Sequence, residues 1–148
     1  MTLRTASEGI SHARALEEGL VGAYETIGNR WPEVKDAVSP FRVFAAKCIT
    51  DVERTYYGVI TDAIEGGFCF ELEPDRYHAV CAEELQNSLA VALSEAAKAE
   101  EALCRFYEDA GEQSRELLAD IPRVFERIAK RRRGRLSELE NLIPKKEA

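Results

Sequence analysis

The chain has 148 residues, 45% of them apolar and 32% charged, enough to bury a core and still dissolve. This composition excludes a disordered chain, and no run approaches the roughly 20 apolar residues that cross a bilayer. A net charge of −7 argues against a surface built as a whole for nucleic acid.

Charge is unevenly placed. Residues 1–120 carry 11 basic and 23 acidic side chains, whereas residues 121–148 carry 9 and 4. The last segment is therefore expected to pack against the acidic faces of the earlier ones. The opening Met1-Thr2-Leu3-Arg4 lacks the apolar run of a secretory signal. Cys48, Cys69, Cys81 and Cys104 form no CxxC pair. They read as reduced thiols of a cytoplasmic protein, mostly in or near the core. Neither His12 nor His78 has zinc-ligand spacing to a cysteine, and both read as surface residues near helix starts.

Four segments have helical periodicity. The first runs from about Ser7 to Arg30, with Ala13, Leu20, Tyr24, Ile27 and Trp31 inward, and Pro32 marks its end. The second starts near Ser39-Pro40, read as an N-cap and first-turn proline. Its stripe is Phe41, Ala45, Ile49, Val52, Tyr56, Ile60 and Ile64, and Gly66-Gly67 stops it. Residues 67–77 form a connection whose Phe68, Phe70 and Leu72 should lie on the bundle. The third helix spans roughly His78 to Ala110, with Leu85, Leu89, Leu93, Ala96, Leu103 and Tyr107 inward, and Gly111 is a natural break. The fourth runs from about Gln113 to Ile143, with Ile121, Phe125, Ile128, Leu136, Leu139 and Leu142 inward. Pro122 should start or kink it, and Pro144 ends it.

Helices of this length, each about 40 Å at 1.5 Å per residue, are best packed nearly parallel. The predicted fold is an all-α four-helix bundle in one domain, residues 1–148, with a longer crossover between helices two and three.

Polar residues on the apolar seams carry the functional reading. Glu17 and Glu100 each fall on an inward series, and each precedes a tyrosine by seven residues, Tyr24 and Tyr107. Helix two has Glu53-x-x-Tyr56 where helix four, aligned on its apolar residues, has Arg132-x-x-Arg135. By spacing, all four of these face the seam. Inward carboxylates need metal or cations, because an unpaired buried charge costs several kcal/mol.

This pattern resembles the rubrerythrin-like branch of the ferritin-like superfamily over roughly residues 10–143. Members carry a Glu on helices one and three, each about two turns before an aromatic pair, and Glu-x-x-His on helices two and four. Glu17 with Tyr24, and Glu100 with Phe106-Tyr107, match the first and third motifs. Glu53-x-x-Tyr56 matches the second in part, with Tyr in place of His. Arg132-x-x-Arg135 keeps neither ligand of the fourth, although Phe125-x-x-Ile128-Ala129 fits its flank. The family's rubredoxin-like iron module is absent.

The resemblance implies a ferritin-like fold and remnant metal positions at Glu17, Glu53 and Glu100. Arg132 and Arg135 then stand where ligands would be, and a guanidinium stays protonated and repels a cation. The expectation is a salt-bridge network in place of two irons, no cofactor, no catalysis, and a binding or regulatory role. The alternative is a working iron or manganese oxidoreductase of peroxidase or ferroxidase type, with Tyr56 as an unusual ligand. A further alternative is a helical adaptor without metal history.

A homodimer is expected from the family and from surplus apolar residues such as Trp31, Phe68 and Phe70. The run Lys130-Arg131-Arg132-Arg133-Gly134-Arg135 invites a nucleic-acid reading, but a helix turns about 100° per residue, so the run wraps the axis. A protein partner or small molecule cannot be named from the sequence.

Overall fold

The computed structural model describes residues 2–3, 6–66, 70–115 and 120–144, with the side chains of 6–7, 55–66 and 120–121 outside that description. Among these residues four α-helices carry the chain: α1 (Ala6–Arg30), α2 (Lys35–Gly66), α3 (Leu89–Gln113) and α4 (Asp120–Leu142). Short 3-10 turns occupy Pro32–Val34, Pro74–Arg76 and Ala82–Gln86. The extended pairing among them is a single antiparallel bridge between Leu3 and Leu72. The chain is thus all-α, and no described helix is long and apolar enough to cross a membrane.

α1 follows its periodicity closely. Ile10, Ala13, Leu16, Leu20, Ala23, Tyr24 and Ile27 are buried, so one stripe faces the core. The Trp31 N–H still donates to the Ile27 carbonyl at 2.9 Å before Pro32 turns the chain.

Three helix starts differ from the sequence reading. α2 begins at Lys35, so Pro40 lies inside the helix and Ser39 does not cap it. Proline removes one main-chain donor there. Buried Val38 and Phe41 on either side hold the backbone helical in spite of it. α3 begins at Leu89, where the Ser88 Oγ accepts from the Val91 N–H at 3.2 Å as an N-cap. Residues 78–88 are instead a strap, whose Leu85 is buried. α3 continues through Gly111 to Gln113, and α4 starts at Asp120 with Pro122 in its first turn, where a missing N–H costs little.

The α2–α3 connection runs along α1 from end to end. Leu3 and Leu72 exchange main-chain hydrogen bonds of 2.6 and 3.1 Å before α1 begins. At its other end Arg30 donates to the Gln86 side chain at 3.0 Å and to its carbonyl at 3.3 Å. In between, the Tyr77 hydroxyl reaches Asp109 on α3 at 2.5 Å.

Phe70 sits at the lower end of this path. It is buried and meets Phe125 edge-on at 6.4 Å. A Cβ on Gly9 would come within 2.9 Å of its ring, so only glycine lets α1 pass so close. Phe70 is therefore core and offers nothing to a dimer. Phe68 lies outside the described residues, and Trp31 is half-buried under the Arg30 guanidinium at 4.9 Å.

Candidate functional site

The centre of the fold is ionic. α1 brings Glu17, α3 brings Glu100 and α4 brings Arg132, and all three are buried. Each stands on an inward row of its helix: Ala13–Glu17–Leu20, Ala96–Glu100–Leu103 and Ile128–Arg132–Leu136.

Arg132 is the clasp. Its Nη1 donates to Glu100 Oε2 at 2.5 Å. Its Nη2 donates to Glu17 Oε1 and, at 2.6 Å, to Glu17 Oε2. The tyrosines complete the set across the helices. Tyr24 of α1 donates to Glu100 Oε1 of α3 at 2.7 Å, and Tyr107 of α3 donates to Glu17 Oε2 of α1 at 2.7 Å. Each carboxylate oxygen thus accepts at least one donor. The exchange also fixes direction: moving from Glu17 to Tyr24 along α1 moves from Tyr107 to Glu100 along α3, so these helices run antiparallel.

Electrostatics follow from this packing. Burial pushes the Glu17 carboxyl above its ordinary value, with Arg132 and the Tyr107 hydroxyl pulling against it. Burial alone would lower the Arg132 guanidinium, but Glu17 and Glu100 outweigh it and hold it well above its usual range. Burial and Glu100 raise Tyr24, and burial and Glu17 raise Tyr107, so both phenols stay protonated donors. Two carboxylates share one guanidinium. The Arg132 Nε is buried without a hydrogen-bond partner, and the guanidinium packs over the Phe44 ring at 5.2 Å.

Two residues read as inward are elsewhere. Glu53 is exposed and pairs with Arg14 of α1 at 3.1 Å. The inward row of α2 is Phe41, Ala45, Cys48 and Val52, and Glu53 lies one residue, about 100°, beyond it. Arg135 is only partly buried, reaches Glu138 at 3.4 Å and lies 5.5 Å over Phe44 from outside. Three residues past Arg132 is about 300° of rotation, which leaves Arg135 about 60° off the row that Leu136 and Leu139 occupy. The Tyr56 side chain lies outside the description.

The resemblance implies a pair of irons, and the residues present do not fit one. Glu17 and Glu100 are engaged by a fixed cation, Glu53 faces outward, and no described histidine joins them. Among the described residues no three His, Cys, Asp or Glu side chains converge to hold a metal ion.

A second polar cluster was missed from sequence. Glu95 of α3 is buried, accepts from the Cys81 N–H at 2.8 Å and meets His78 Nε2 at 2.5 Å. It ties the strap to α3. The signal was present, since Ala92, Ala99, Ala102 and Phe106 surround position 95 at helical steps. Nothing local marks His78 as its partner. His12, read as a surface residue, is half-buried 6.0 Å from Phe106, with Nε2 unpartnered, and burial lowers its pKa.

The thiols divide by setting. Burial pushes Cys48 and Cys104 each up to about 12, whereas Cys81 is exposed on the strap. Cys69 lies outside the described residues. With iodoacetamide at about pH 8, Cys81 is expected to react well before Cys48 and Cys104, since only the thiolate attacks. Equal labelling of the three in native protein, by peptide mass spectrometry, would contradict that assignment.

Comparison with protein-family models, with curated proteins and with solved structures gives no match.

Proposed function

We propose that this chain is a ferritin-like bundle of rubrerythrin type whose metal centre has been replaced by a guanidinium, leaving a non-catalytic binding or regulatory role. The observation that carries this reading is Arg132, buried between Glu17 and Glu100 with Tyr24 and Tyr107 closing the remaining oxygens. A ferrous pair would have to displace a cation that bridges both carboxylates by charge-assisted bonds. The crossover along α1 supports the ferritin-like topology, because α2 and α3 then run the same way and need a link of that length.

On this reading the middle of the bundle is structural, and the working surface is outside. The test is metal uptake by the intact chain. Ferrous iron added without oxygen, followed by gel filtration and elemental analysis, is expected to leave far less than one iron per chain. Retention of a stoichiometric pair would overturn the proposal.

A further inference from the structure

The last helix spends only part of its charge within the chain. Arg132 goes to the core, and Arg133 pairs with Glu101 and Glu108 of α3 at 2.8 Å each. A third set runs along the outside. Arg123, Arg127, Arg131 and Arg135 follow one another at four-residue steps, about 6 Å apart along a single ridge. Among the described residues Arg123, Arg127 and Arg131 have no ion-pair partner, and Arg135 has only Glu138, a turn away on its own helix. Like charges at this spacing destabilise a helix, and for Arg123, Arg127 and Arg131 no ion pair among the described residues offsets this.

Beside the ridge lies a groove of about 820 Å³ between α2 and α4. Its apolar lining is Pro40, Val43 and Phe44, and Val43, 55% exposed, is the large apolar side chain left most open to water among the described residues. Lys47, Arg131 and Arg135 line it too, against two acids, Asp36 and Glu138. Gly134 also lines it, in the interior of α4, where glycine weakens a helix. A Cβ there would meet nothing within 4 Å, so no packing within the described chain requires glycine at this place. Its absence lets another backbone come close to α4 between Arg131 and Arg135.

We propose that this groove docks an acidic amphipathic helix of a partner protein. Apolar side chains of that helix would lie over Val43 and Phe44 beside Gly134. Its acids, at four-residue steps, would meet the arginine ridge. This rests on the binding role proposed above and names its surface and its partner's chemistry. A nucleic acid fits less well, because a long polyanion meets the strongly acidic remainder of the chain. A second copy fits less well, because Glu18, Glu101, Glu108 and Glu112 are already paired with Arg14, Arg133 and Arg115.

The test is fluorescence anisotropy with the full chain. The probe is a labelled peptide of about 18 residues, with Leu on one face and Glu at four-residue steps. The controls are the same peptide with Lys for Glu and a single-stranded oligothymidylate. The acidic peptide is expected to bind saturably, at least about tenfold tighter than its Lys counterpart. Gly134→Leu should weaken it about tenfold or more without lowering the melting temperature, since its site is open and the helix gains propensity. Arg127→Glu with Arg131→Glu should weaken it as well.

No preference for the acidic peptide would overturn the proposal. So would binding that Gly134→Leu leaves intact, stronger binding of the oligothymidylate, or self-association of the chain that Gly134→Leu abolishes. Iron retention would overturn the reading of the core and leave this titration standing, and failure of the titration would leave the core reading standing.

Discussion

Arg132→Ala is expected to destabilise the protein by about 3–5 kcal/mol, the usual consequence of stranding a buried charge. Both carboxylates would lose their shared cation at once, with only the Tyr24 and Tyr107 hydroxyls left as donors. Urea denaturation followed by circular dichroism measures this directly, and a loss under about 1 kcal/mol would show that the centre is not ionic in the folded state. The companion variant replaces the whole set. Arg132→Met with Glu17→Gln and Glu100→Gln removes every formal charge and should recover much of the loss. Recovery separates stranded charge from lost volume, because Arg132→Met alone keeps most of the side chain and should still be strongly destabilised.

The second large effect concerns the phenols. Tyr24→Phe and Tyr107→Phe each remove one donor to a buried carboxylate while keeping the ring. Each is expected to cost about 1–3 kcal/mol. The two should not add, because Glu17 and Glu100 are coupled through one guanidinium. A double-mutant cycle whose coupling is zero would mean that the two carboxylates respond independently, contrary to the geometry. The rings themselves stay packed: Tyr107 stacks near Phe125 at 6.3 Å and Tyr24 lies 5.8 Å from Phe41.

Much of the fold is legible from the spacing of apolar residues. α1 reads correctly because its buried positions recur without interruption from Ile10 to Ile27. Glu17 and Glu100 are legible for the same reason, as polar residues inside otherwise apolar rows. Helix starts are less so. Pro40 looks like a first-turn proline, yet burial of Val38 and Phe41 extends α2 back to Lys35. The eleven residues from His78 to Ser88 look continuous with α3, but the strap's contacts with Glu95 and Arg30, and that of the preceding Tyr77 with Asp109, come from other parts of the chain and have no local signature.

Side-chain direction is read to within about one residue, and that margin decides the site. Glu53 and Arg135 each lie within about 100° of an inward row, so spacing alone admits both. Packing admits neither. The exchange of tyrosine partners between α1 and α3 is equally invisible in one dimension, because the repeat from Glu to Tyr is the same whether each tyrosine serves its own helix or its neighbour.

The shared cation at the centre has a consequence for how this sequence can change. Two carboxylates face one guanidinium, so losing either acid alone still leaves a matched pair, whereas losing Arg132 first strands both acids in a dry interior. The order of loss is therefore constrained, because the arginine on one helix cannot be given up ahead of the acids on the other two, while the outer faces of the same helices remain free to diverge.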